Sequence, residues 1–174
     1  MNNISLRALT KEDWRIYKTL RLQSLSDSPD SFGATLASEQ ALNDDEWSAR
    51  LDYSVRGMHG VLFIALLNNN PIGLACSVTH SRTSQDGHIY QMWISPKARG
   101  LGIGHQLLTH IINWAKNEKL KRLSLAVTTT NIVALKLYQA LGFRADGDLV
   151  ELRAGSKLQT QPMILDLYET QDKS

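Results

Sequence analysis

A chain of 174 residues, 43% of them hydrophobic, can fill one sizeable core and is short for two, so a single domain over residues 1–174 is expected. Its 19 basic and 17 acidic side chains leave a formal charge of +2, too small to make nucleic acid or an anionic membrane the main partner. A lone cysteine, Cys76, excludes an intramolecular disulfide and a cysteine-based metal cluster, and no metal site is expected. The start Met1–Ser5 lacks a basic, then apolar, leader pattern, and no apolar run approaches the ~20 residues of a membrane span. The expected location is the cytoplasm.

Along the chain, Ile4 to Leu9 reads as a first strand. Thr10 and Asp13 are spaced to cap a helix carrying Trp14, Tyr17, Arg21 and Leu25, broken at Ser28-Pro29-Asp30-Ser31. Ser38 to Leu51 predicts a second helix. Val61 to Leu67 and Ile72 to Thr79 flank Asn68-Asn69-Asn70-Pro71 and predict an antiparallel hairpin. His88 to Ser95 alternates, with His88, Tyr90, Met92 and Ile94 expected on one face and Ile89, Gln91 and Trp93 on the other. After a glycine-rich loop, Leu107, Leu108, Ile111, Ile112 and Ala115 form a helical stripe. Leu123 to Thr128 is a strand. Asn131 to Leu141 is a helix with Tyr138 inward, stopped by Gly142; Phe143 to Leu152 and Met163 to Tyr168 are closing strands. The order is mixed α/β.

The segment richest in information is Ile94-Ser95-Pro96-Lys97-Ala98-Arg99-Gly100-Leu101-Gly102-Ile103-Gly104. A strand enters a loop with three alternate glycines and leaves directly into a helix. Glycines admit close approach to backbone, and a helix N-terminus offers unpaired N–H groups and partial positive charge, which suits phosphate. Arg99 and Lys97 add formal charge. A dinucleotide fingerprint would need a third glycine where His105 stands, and no G-x-x-x-x-G-K-[ST] loop is present. On its own, the triplet also fits a tight turn before a surface helix.

Arg99-x-x-Gly102-x-Gly104 resembles the pyrophosphate-binding signature of the GNAT superfamily of N-acetyltransferases. Asn131-x-x-Ala134-x-x-Leu137-Tyr138-x-x-x-Gly142-Phe143 is similar to that family's next motif, in the right order and separation. The match spans about residues 88 to 144. The resemblance implies an α/β fold with a mixed, mostly antiparallel twisted sheet flanked by helices, and strands splayed at the cofactor site. It implies that acetyl-CoA is the donor, that backbone of the Met92-Trp93-Ile94 segment holds the pantetheine arm, and that N–H groups of Gly100, Leu101, Gly102, Ile103, Gly104 and His105 cradle the pyrophosphate. Asn131 would reach the cofactor and Tyr138 would stand near the sulfur. The expected partners are acetyl-CoA, an acceptor amine and, as an option, a second copy of the chain.

Acetyl transfer to an amine needs a neutral nucleophile, stabilisation of the thioester oxygen and a proton for the leaving thiolate. A phenol is neutral and can donate, so Tyr138 is the candidate acid, with core packing as its rival role. His88 is the candidate base, with Glu39 and Glu151 as further candidates; His88 reads equally as a polar residue at a strand start. Cys76 is expected to be a small core residue. Substrate determinants are sought in Leu25 to Leu36, including Asp27, Asp30 and Phe32, and in Asp146 to Gln159. Small amines and protein amines both remain open as acceptors. A different class of function, a non-catalytic acyl-CoA sensor or assembly module, would keep the glycine loop but need neither Tyr138 nor a base.

Overall fold

The computed structural model describes residues 1–168; residues 169–174 of the expected domain lie outside them. The elements are β1 (Ile4–Ala8), α1 (Trp14–Asp27), α2 (Leu36–Gln40), α3 (Asp44–Ala49), β2 (Gly60–Leu67), β3 (Asn70–Val78), β4 (Asp86–Ile94), α4 (Ile103–Asn117), β5 (Arg122–Thr128), α5 (Ile132–Ala140), β6 (Arg144–Ala145), β7 (Val150–Glu151) and β8 (Gln159–Asp166). They build one sheet in the order β1-β2-β3-β4-β5-β8-β6, with β7 also pairing β8. All pairings are antiparallel except β4 with β5.

Period-2 alternation sends the two faces of the sheet into separate cores. Ala65, Ile72, Ala75 and Ile89 pack with Leu107, Leu108, Ile111 and Ala115 of α4 and Tyr138 of α5. Leu62, Ile64, Leu74, Cys76 and Trp93 pack with Tyr17, Leu20 and Leu25 of α1 and Trp47 of α3. Leu107 and Leu108 are fully buried, each worth roughly 1.5–3 kcal/mol of transfer free energy. The β2–β3 hairpin closes through Asn68 and Asn69, with φ of 50° and 67°, as a tight two-residue turn needs.

Four sequence expectations are corrected. The helix over Ser38 to Leu51 is two short helices, because Asn43 starts a new one. Its side chain accepts the Glu46 N–H at 2.9 Å, and its own N–H is donated to the Glu46 carboxylate at 2.8 Å. The strand over Phe143 to Leu152 is broken into β6 and β7 by a bend through Gly147 (φ 86°), and β8 starts at Gln159 rather than Met163. The faces of β4 also differ from simple alternation. Tyr90 pairs with Cys76 and Trp93 with Leu74, so two residues of β4 lie opposite one of β3, and Gln91 takes φ 61°. This β-bulge flips the parity. His88, Tyr90 and Trp93 share the α1 face, while Met92 and Ile94 turn to the α4 face with Ile89.

Candidate active site

On its other edge β4 parts from its neighbour. β4 and β5 pair in parallel only from Asp86 to His88 against Arg122 to Ser124. Beyond His88 the strands diverge, and the edge of β4 that faces β5 carries no ladder partner among the described residues. The splay expected from sequence is present. A cavity of about 1390 Å³ occupies it, lined on one side by Ile89 and Met92 and on the other by Leu125 to Thr128.

The cavity leads to the start of α4. Gly100 and Gly102 take φ of 78° and 76°, and Gly102 is the left-handed N-cap of the helix. A Cβ on either would meet no atom within 4 Å, so these two positions require glycine for conformation and leave open space above the N-terminal N–H groups. Gly104 is different: a Cβ there would lie 3.1 Å from Met92 Cε and Leu137 Cδ2, both flexible ends. Gly102→Val should therefore weaken CoA binding by about tenfold or more, through strain of roughly 1–2 kcal/mol and a side chain in the cradle, with the circular dichroism spectrum unchanged. Gly104→Val should cost less. Calorimetric titration with CoA checks both, and wild-type affinity in Gly102→Val would remove the loop from the site.

The other predicted cofactor residues divide. Ile103, Gly104 and His105 line the cavity, whereas the Leu101 side chain is exposed and does not. Ile103 points into the core. The Trp93 indole is buried on the α1 face and donates to Asp27 Oδ2 at 3.0 Å, which leaves only its backbone for a ligand. Arg99 is not simply a free phosphate partner. Its Nε donates to Ile94 O at 2.9 Å and its Nη2 to Asp27 Oδ2 at 2.7 Å, tying the loop to the end of α1. Hydrogen bonds from Trp93 and Ser28 hold the Asp27 carboxyl below its usual range, so Asp27 is an occupied acceptor rather than a free amine-binding carboxylate. Asn131 caps α5, accepting the Ala134 N–H at 3.2 Å, and lines the cavity.

Tyr138 is held by the end of α5. The Gly142 N–H bonds to Gln139 O and the Phe143 N–H to Tyr138 O, with Gly142 at φ 96°, a helix stop that only glycine takes without strain. It sets Phe143 against Tyr138 edge to face, with ring centroids 6.0 Å apart. Tyr138 is buried but borders the cavity, and desolvation raises its phenol further above the ordinary range, so the hydroxyl keeps its proton.

His88 sits where β4 and β5 part. Its Nδ1 lies 2.6 Å from Ser124 Oγ, and its ring centroid is 4.2 Å from that of His80. Burial, and then the neighbouring His80, lower its pKa, which favours the neutral, basic imidazole. Yet His80, not His88, lines the cavity. Sequence reading missed His80, although the β3–β4 hairpin register, Val78 opposite His88, brings it there. The other candidate bases fare differently. Glu39 accepts from Arg21 Nε at 2.9 Å and Arg21 Nη2 at 3.2 Å, with Arg50 Nη1 at 3.2 Å, so its lone pairs are committed. Glu151 and Asp30 border the opposite end, near Thr128, whose hydroxyl donates to Asp30 O. Arg153 clamps the segment before α2 by donating to Pro29 O and Phe32 O at 2.7 Å, joining the two stretches expected to meet the substrate.

Among known proteins, the chain is 27% identical over 146 residues to the mycothiol acetyltransferase of Acidothermus cellulolyticus, covering 79% of this chain and 43% of that protein. The chain thus spans less than half the length of that relative. The yncA protein of Salmonella typhimurium, solved with its cofactor acetyl-CoA, superposes with a TM-score of 0.78 at 18% identity, over 97% of this chain and 96% of that one. A spermidine N-acetyltransferase of Vibrio cholerae, in complex with CoA and spermine, gives 0.75 at 21% identity, over 94% and 95%. These two likenesses establish the fold. The model of the acetyltransferase (GNAT) family matches residues 17–143, so the chain belongs to that family.

Proposed function

We propose that residues 1–174 form one cytoplasmic N-acetyltransferase domain that passes an acetyl group from acetyl-CoA directly to a primary amine of a small molecule or a protein. The observation that carries this reading is the gap between β4 and β5, whose unpaired β4 edge leads to the glycine-lined start of α4. The residues fit an extended thioester with a pyrophosphate: an edge strand for amide groups, then open space over free N–H groups. The two relatives named with acetyl-CoA or CoA add support.

Acetyl-CoA supplies a thioester whose carbonyl carbon is the electrophile. The neutral amine nitrogen attacks it, the C–S bond breaks, and the thiolate takes the Tyr138 Oη proton. The amine proton passes to the His80–His88 pair. In the tautomer that donates Nδ1–H to Ser124 Oγ, 2.6 Å away, the Nε2 of His88 keeps a lone pair. No enzyme nucleophile is required, and burial pushes the Cys76 thiol up to about 12, which leaves it inert. Tyr138 and the imidazole pair favour an enzyme over an acyl-CoA sensor.

Acetyl-CoA should bind the folded protein and raise its Tm, by about 2.7 kcal/mol of stability at a hundredfold excess over Kd. Absence of calorimetric binding of both acetyl-CoA and CoA at millimolar ligand would overturn the reading. Because His88 is shifted below its ordinary value of 6.5, the acidic limb of kcat/KM should fall below that pH. His88→Ala should lower kcat/KM by about 10²-fold and flatten this limb. An unchanged profile would take the base role from His88.

A further inference from the structure

The part of the cavity on the α1 face carries an uneven set of charges. Arg21 (α1), Arg50 at the end of α3 and Arg56 line it, against the single carboxylate of Glu39. Glu39 is shared by Arg21 and Arg50, so three guanidinium groups face one negative charge. Arg21 is only 3% exposed, and its Nη1 is buried with no hydrogen-bond partner among the described residues. Arg56 is held to this wall through its Nη1 bond to Arg50 O at 3.3 Å. The neighbouring phenols of Tyr17 and Tyr53 are kept protonated by burial and act as neutral groups here. Tyr17 donates to Gln91 at 2.9 Å, which connects this wall to the bulge of β4. The cavity's other carboxylates are elsewhere: Asp27 is bound to Arg99, and Asp30 and Glu151 lie at the Thr128 end.

Arg21 is buried, and its unsatisfied guanidinium nitrogen is costly unless an acceptor completes it, while the more accessible Arg50 and Arg56 leave the wall with surplus positive charge. A polyamine would add positive charge to the same wall. We infer that the acceptor is an amine that also carries a carboxylate, seated on the Arg21–Arg50–Arg56 wall with its amino group toward the β4 bulge. A planar carboxylate matches a guanidinium fork. This inference rests on the acetyltransferase reading and narrows its acceptor.

The test is thiol release from acetyl-CoA with three primary amines: glutamate, its diamide and spermidine, beside calorimetric titration with CoA. Glutamate should exceed both others in kcat/KM, by about 10- to 100-fold, the worth of one or more charge-assisted hydrogen bonds. Arg50→Gln and Arg56→Gln, at more accessible positions than Arg21, should raise KM for glutamate and leave the diamide unaffected. Equal or faster turnover of the diamide or spermidine, no turnover of glutamate while CoA binds, or unchanged glutamate KM in both variants overturns the inference. Failure to bind CoA overturns instead the acetyltransferase reading beneath it.

Discussion

Tyr138→Phe is expected to lower kcat by about 10- to 10³-fold, with acetyl-CoA affinity nearly unchanged. The ring stays, so its contact with Phe143 and the end of α5 survive. On the proposed acid role, the lost hydroxyl should matter mainly when the thiolate departs, because a proton donor aimed at developing charge acts in the transition state. Burial keeps that hydroxyl protonated across the working pH range. The deficit should shrink with an acyl donor whose thiolate is a better leaving group. Single-turnover kinetics give the chemical step directly. A wild-type rate in that step would leave Tyr138 as a packing residue, the role its burial also suits.

Glu39→Ala should be the most destabilising of the substitutions considered, by about 3–5 kcal/mol, because it strands Arg21 as a buried charge. For a domain of this size that is a fall in Tm of roughly 6–20 °C, and a large share of the ~5–15 kcal/mol that holds a typical domain folded. Arg50 can turn to water more readily, since its side chain is 31% exposed. Replacing both partners, Arg21→Met with Glu39→Leu, should recover much of the loss, because no unpaired charge remains. Thermal unfolding of the single and double variants measures the difference. A single variant within 1 °C of wild type would show that the pair contributes little.

The local motifs were legible because they encode local geometry. Gly102 at the start of α4, Gly142 at the end of α5 and the Asn68-Asn69 turn each fix a backbone conformation that few other residues take, so residue type alone marks them. The stripe of Leu107, Leu108, Ile111 and Ala115 fixed the buried face of α4 by periodicity. Sequence therefore determined the order of the main elements and the glycine-lined start of α4. Only the tertiary structure decided what depends on one extra residue or on distant partners. The bulge at Gln91 inverts the faces of Met92 and Ile94 relative to His88, because parity in a strand is lost wherever two residues oppose one. Asp27, considered as a substrate contact, and Glu39, considered as a base, are each claimed by an arginine: Arg99 lies 72 positions from Asp27, and Arg21 lies 18 positions from Glu39. His80 becomes part of the site only because the β3–β4 pairing stacks it on His88. Charge pairing and register are set by tertiary packing, which residue type and local spacing do not report.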